Sequence, residues 1–280
     1  MSQVVACVDA HVHLHSCYEP DDLLQNAYRN LAAAGNGSAA HAAPRAYFLL
    51  LAECAPDDCF GALRGLAEGR FPSNATSGLR LRRWTVTPTE EAISVVARDG
   101  GQELVIVAGR QVACREGLEV LILGTTRRFP DGRPIREILQ ESDALGVPRV
   151  IPWGPGKWFF RRGRLLHELI REFRKPTLFL GDEGGRPGFW GYPQHFMRAA
   201  RLGVRDLPGT DPLPFPHDVA KVGRMGLRVP IDLDPMRPGE SLLRALTQGG
   251  SRLERFATLE PPLRFVRNQI GMQLRKRLRA

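Results

Sequence analysis

The stretch Val4-Val5-Ala6-Cys7-Val8-Asp9-Ala10-His11-Val12-His13-Leu14-His15 decides how this chain is read. Its first half is short, apolar and rich in β-branched residues, which predicts a buried strand. Strand side chains alternate between faces, so His11 and His13 are expected on one face, with Asp9 and His15 in the same row. Two imidazoles at the C-terminal end of a strand can grip one metal ion. In a barrel of parallel strands, that end carries the active site.

Working outward, Leu23, Leu24, Ala27, Tyr28 and Leu31 repeat at helical spacing between Pro20 and Gly35, predicting a helix. A small, polar loop follows at 36–44 and contains His41. Residues 46–52 read as a second buried strand ending at Glu53, and residues 58–68 as a helix. This alternation marks a parallel α/β fold. Residues 79–86, 92–97, 103–107 and 118–123 read instead as strands joined by short turns, among them Gly100-Gly101. Such short connections predict an antiparallel ribbon, an insert spanning about residues 79–124. Alternation then resumes, with helices at 136–145, 164–173, 192–202, 215–225 and 239–248. The strands between them fall at 148–152, 177–180, 204–207 and 227–231. The fold expected from this pattern is a distorted (β/α)7-type barrel filling residues 1–250, followed by a basic helical extension at 251–280.

A chain of 280 residues, 43% of them hydrophobic, suits one large α/β domain. It contains no apolar stretch long enough to span a membrane. Met1-Ser2-Gln3 runs straight into the strand without the basic and apolar regions of a signal peptide. Five cysteines without regular spacing fit a reducing compartment, so a cytoplasmic protein is expected. The net charge of +9 is carried almost wholly by arginine and is spread along the chain. It permits anionic partners without singling out nucleic acid. The one basic cluster is the run from Leu263 to Arg279, where Phe265, Val266, Ile270 and Leu274 fall in one apolar stripe. That stripe predicts a docked terminal helix with a solvated, charged end. Binding of nucleic acid, an acidic partner or an anionic membrane surface is the reading not favoured.

Three further strand-to-helix junctions carry functional side chains. Pro152-Trp153-Gly154-Pro155-Gly156-Lys157-Trp158 brings glycines that let the backbone approach a ligand, a rare lysine, and two tryptophans that can shield or stack on it. Gly181-Asp182-Glu183-Gly184-Gly185-Arg186 offers Asp182 or Glu183 as a metal ligand or base, and Arg186 as a fork for a carboxylate or phosphate. Gly209-Thr210-Asp211-Pro212-Leu213-Pro214-Phe215-Pro216-His217 surrounds Asp211 with prolines, the stiffness an aspartate needs to hold an ion in place.

The order of these segments resembles the polymerase-and-histidinol-phosphatase (PHP) family of phosphoesterases, and more distantly the amidohydrolases, from about residue 4 to residue 226. Asp9-x-His11-x-His13 is similar to the family's opening motif, and Gly209-Thr210-Asp211 to its closing Gly-Ser-Asp-x-His. The departures are specific. Gln111 stands for a metal-bound glutamate, Leu121 for a strand histidine, and Trp153 lies in the region of a histidine before proline. Ala52-Glu53-Cys54 replaces Thr-Asp-His, and His217 is six residues beyond Asp211 rather than two. The resemblance implies a PHP-like barrel and metal-dependent hydrolysis at a reduced site. That site would hold one divalent ion, zinc or manganese, on His11, His13 and Asp211, with an open position for water. Asp182 or Glu183 would then be the base, while Lys157 and Arg186 hold an anionic small molecule such as a phosphoester. His15, Gln111, Trp153, Trp158 and His217 are the further expected substrate contacts. The alternatives are a degenerate member that binds a phosphorylated or sugar-like ligand without chemistry, or a nucleic-acid or scaffold protein acting through its basic C-terminal helix.

Overall fold

The β-branched run does form a strand, β1 (Ser2–Val12), and the following amphipathic segment is α1 (Pro20–Asn36). These come from a computed structural model that describes residues 2–36, 44–70, 79–248 and 252–279, so His41 lies outside the described residues. Next come β2 (Arg45–Leu51), α2 (Cys59–Ala67), β3 (Thr85–Pro88), β4 (Ser94–Asp99), β5 (Gln102–Val107), β6 (Gly109–Ala113) and β7 (Glu119–Leu123). The second half alternates: α3 (Ile135–Asp143), β8 (Arg149–Pro152), α4 (Phe160–Glu172), β9 (Leu178–Gly181), α5 (Gln194–Arg201) and β10 (Arg205–Asp206). A 3-10 turn (Pro216–Lys221), β11 (Met225–Leu233), α6 (Pro238–Thr247), β12 (Glu254–Ala257) and α7 (Pro262–Arg279) complete the order.

Among the described residues the strands make two mixed sheets and no closed barrel. One sheet runs β12-β11-β1-β2-β5-β4-β3, the other β10-β9-β8-β7-β6. This corrects the (β/α)7 barrel expected from the sequence. The reason lies in the connections: β3, β4 and β5 pair antiparallel, as do β6, β7 and β8, and β11 returns antiparallel beside β1. Of the described strand pairs, only β1–β2, β2–β5, β8–β9 and β9–β10 are parallel. The segment read as an inserted ribbon is divided between the sheets at Ala108, with β5 built in beside β2 and β6 starting the second sheet. Gly109 marks this crossing, where an added Cβ would lie 2.2 Å from the Leu51 carbonyl oxygen.

Apolar residues lie on both faces of both sheets, which accounts for their near-continuous apolar runs. The inner faces share one core, including Val4, Val8, Phe48, Val107, Leu121, Phe179 and Val229. The first sheet's outer face packs under α1 and α2 through residues such as Cys7, Leu31, Leu49 and Phe60. The second sheet's outer face packs under α3, α4 and α5 through Ile122, Ile138, Leu166, Leu180 and Phe196. The layer order is therefore helix, sheet, sheet, helix.

The sheets approach at the end of β1. Ala10 N donates to Pro208 O at 3.4 Å and Asp211 N to His11 O at 2.9 Å, while Gly209 N donates to Asp182 O at 2.9 Å beyond β9. The junctions carrying His11, Asp182 and Asp211 are stitched together by these bonds. The segment before α7 is tied to the same place: Glu260 N donates to Arg186 O and Gly188 N to Glu260 O, each at 3.1 Å.

Candidate metal centre

Alternation along β1 slips once. Cys7 and Val12 pack in the same outer cluster although they stand an odd number of positions apart, and the pairing of β1 with β2 shifts register between Asp9 and Val12. His11 and His13 lie beyond this slip or within it and converge, their Nε2 atoms 3.0 Å apart. Asp9 does not join them. Its Oδ1 accepts from Thr210 N at 2.9 Å and His11 N at 3.3 Å, and its Oδ2 accepts from Gly223 N at 2.8 Å and from the Thr210 hydroxyl. Burial raises the Asp9 carboxyl to about 6 even against these hydrogen bonds. Asp9 thus braces three backbone segments and positions the groups around it.

Asp211 comes to the histidines from the proline-rich segment. Its Oδ1 lies 3.6 Å from His11 Nε2 and 3.4 Å from His13 Nε2. Its backbone is left-handed, with φ +43°, a strained setting for a residue with a Cβ, and strain of this kind clusters at functional sites. Close approach is also required at Gly209, where an added Cβ would lie 2.3 Å from His11 N. Gln111, on β6, brings Oε1 to 3.0 Å from His11 Nε2.

These donors fit a cation. One imidazole nitrogen carries at most one proton, yet His11 Nε2 faces His13 Nε2, Gln111 Oε1 and Asp211 Oδ1 at once. Tetrahedral ligation with bonds of about 2.1 Å sets donor atoms about 3.4 Å apart, and the separations found here bracket that value. His11, His13 and Asp211 together place one ligand atom each within 4.8 Å of one another.

Glu183 stands behind His11, its Oε1 3.1 Å from His11 Nδ1 but not in hydrogen-bond alignment. Burial pushes its carboxyl well above the ordinary range, the charge of Asp211 adds to this, and Lys157 opposes it. Burial acts the same way on Asp211, but His11 and His13 outweigh it and hold Asp211 well below the usual carboxylate range. For Lys157, burial favours the neutral amine, and Glu119, Glu183 and Asp211 outweigh it, so its proton is held more firmly than usual. Its Nζ is paired with Glu119.

The remaining expected residues are placed elsewhere. Asp182 is fully buried and takes a two-pronged Arg186 guanidinium at 2.8 and 3.0 Å, with Arg255 on the same carboxylate. His15 meets Pro212 O at 2.9 Å and stacks on His13; burial lowers its pKa to about 4. His217 lies against Asn268 and Asp218 and stacks on Phe215. Trp153 lines the pocket beside Glu183 and Asp211, whereas Trp158 packs in the core against Phe196. Sequence reasoning missed the α7 side chains on that pocket, Phe265, Asn268 and Gln269. The available signal was the amide pair Asn268-Gln269, uncharged within an apolar and basic run.

No protein-family model and no curated protein matches the chain. Among solved structures it is similar to PsfC from Pseudomonas syringae PB-5123, with 18% identity and a TM-score of 0.52, covering 98% of this chain and 99% of that one. It also aligns, at a TM-score of 0.47 and 12% identity, with the lesion-specific endonuclease PfuEndoQ from Pyrococcus furiosus, and at 0.44 and 14% with endonuclease Q in complex with a 27-mer duplex substrate carrying an abasic lesion. Each of these alignments covers 90% of this chain, which spans 57% and 58% of the respective endonuclease chains. PsfC has a PHP-type fold, so the likeness in fold extends over nearly the whole chain.

Proposed function

We propose that the protein is a metal-dependent hydrolase with a single divalent ion, zinc or manganese, on His11, His13 and Asp211. The observation that carries this reading is the convergence of both Nε2 atoms and Asp211 Oδ1 on one point. Two histidines and a carboxylate leave a coordination position open for water or substrate. When bound, the ion would polarise the scissile bond and make water a better nucleophile.

The protein side chains supply the rest. Glu183 beside His11 Nδ1 favours a proton on that nitrogen, which leaves the Nε2 lone pair free for the ion. Its raised carboxyl also suits it to take up a proton and return it during hydrolysis. Gln111, from the second sheet, brings Oε1 to 3.0 Å from His11 Nε2, so that it faces the point where the ion would sit. Lys157 adds a fixed positive charge near Glu183 and Asp211. A phosphoester or other anionic small molecule is the substrate suggested by Lys157 and Arg186; both cations are engaged by Glu119 and Asp182, which widens the reading to esters and amides.

The test is elemental mass spectrometry on untagged protein offered Zn²⁺ or Mn²⁺. About one equivalent is expected, lost in the His11→Ala, His13→Ala double variant with the fold intact. Stoichiometric metal retained by that variant sinks the site assignment. No metal under any loading leaves a ligand-binding protein without metal chemistry.

A further inference from the structure

We infer that the outward face of α7 docks on an anionic phospholipid bilayer, with the helix lying in the plane of the headgroups. The inference stands apart from the metal centre proposed above. Leu263, Val266, Ile270 and Leu274 recur every three or four residues, which puts them on one side of the helix. The sequence predicts that this row docks, and it does not: the four side chains are 88%, 52%, 58% and 56% exposed. Apolar side chains gathered in a row on a surface mark a place of interaction.

The opposite side of the helix is engaged, which keeps the row outward. Asn268 is buried, with Oδ1 3.3 Å from His217 Nε2. Gly271 runs so close to Phe215 that an added Cβ would lie 2.8 Å from its ring, and the Arg275 guanidinium sits 5.4 Å over the same ring. Phe265 meets Phe189 edge to face, with ring centroids 6.1 Å apart. Just before the helix, Glu260 is bonded to Arg186 and Gly188 and ion-paired with Lys221.

Charge names the occupant. α7 carries Arg264, Arg267, Arg275, Lys276, Arg277 and Arg279 and no Asp or Glu. Arg267 lies in the outward row, four residues after Leu263 and three before Ile270, and Arg277 lies three after Leu274. Both are exposed and have no ion-pair partner among the described residues. A second copy meeting this face symmetrically would set arginine against arginine with no carboxylate from either helix. A nucleic acid would satisfy the arginines but leave four apolar side chains in water. An anionic bilayer takes both: the apolar row enters the boundary between headgroups and acyl chains, and the long arginines reach the phosphates. The net charge of +9 draws the whole molecule to such a surface. Among the described residues no helix is long and apolar enough to cross a membrane, so α7 lies on the bilayer and does not span it. Its inner side lines the pocket through Phe265, Asn268 and Gln269, which sets that pocket about 10 Å, one helix diameter, from the lipid.

The test is sedimentation of the full, metal-free chain with vesicles of equal parts phosphatidylcholine and phosphatidylserine, against vesicles of phosphatidylcholine alone. Binding to the anionic vesicles is expected, at least about tenfold tighter than to the neutral ones and weakened by salt. The Ile270→Ser, Leu274→Ser double variant is expected to weaken it at least about tenfold, and Arg267→Gln with Arg277→Gln about fivefold to thirtyfold, with unchanged thermal unfolding because all four side chains point to solvent. No binding to anionic vesicles, equal binding to both vesicles, or wild-type affinity in either double variant overturns the inference. It is overturned equally by a dimer in analytical ultracentrifugation that the Ile270→Ser, Leu274→Ser variant loses, which gives the face to a second copy, or by a single-stranded oligonucleotide that displaces the vesicles and binds the Ile270→Ser, Leu274→Ser variant as well as the wild type.

Discussion

Asp182 and Asp9 are both fully buried carboxylates, yet neither belongs to the candidate metal-ligand cluster. Asp9 is satisfied by backbone and hydroxyl donors, Asp182 by two arginines. Asp9→Asn puts an NH2 group where Oδ1 or Oδ2 accepts, setting donor against donor. It is expected to cost about 1–3 kcal/mol in urea unfolding and to lower metal occupancy as His11 and Thr210 lose their common anchor. Asp182→Ala takes the carboxylate from the buried Arg186 guanidinium and is expected to cost about 3–5 kcal/mol, with metal stoichiometry retained in the folded fraction. Glu183→Gln is expected to behave in the opposite way, keeping stability but lowering zinc affinity by about 10–100-fold in competition with a chelator. The histidine pair was readable because two imidazoles two apart in a strand declare a shared direction. The separate work of the adjacent Asp182 and Glu183 was not, because a single step along a turn sends one to Arg186 and the other to His11. His217 and His15 had the right residue type, but distant partners, Asn268 and Pro212, set what they do.

At the scale of elements, helix and strand positions followed from periodicity, whereas strand direction did not. β11 reads in sequence like any other buried strand after a turn, and only its pairing with β1 makes it antiparallel. The register slip in β1 was equally hidden, since strict alternation is the default for a strand. Gly209 holds this end of β1 against its neighbour. Gly209→Ala is expected to cost at least about 2 kcal/mol, because the new Cβ would meet His11 backbone and side-chain atoms, and metal uptake should fall with it. In α7 the expected apolar stripe is divided. Val266, Ile270 and Leu274 are exposed, while Phe265 and Asn268 face the pocket. A helix with apolar residues on two sides gives a sequence no way to say which side docks.

For the whole molecule, composition and alternation gave an α/β domain, while ring closure against two stacked sheets turned on connections the pattern does not show, such as the crossing at Ala108. A ligand held only by the native arrangement stabilises all of it. Zinc at 100 times its dissociation constant is expected to add about 2.7 kcal/mol to global stability in calorimetry, and nothing in the His11→Ala, His13→Ala variant. The bond from Thr210 to Asp9 spans 201 residues of chain, and the pocket draws residues from the end of β8 through α7. Loops of that length close late in folding. The candidate centre is therefore expected to come into being only after both sheets have formed and met. An ion bound there would be an inspector of the finished chain and not its template: zinc is expected to leave the refolding rate nearly unchanged and to slow unfolding instead.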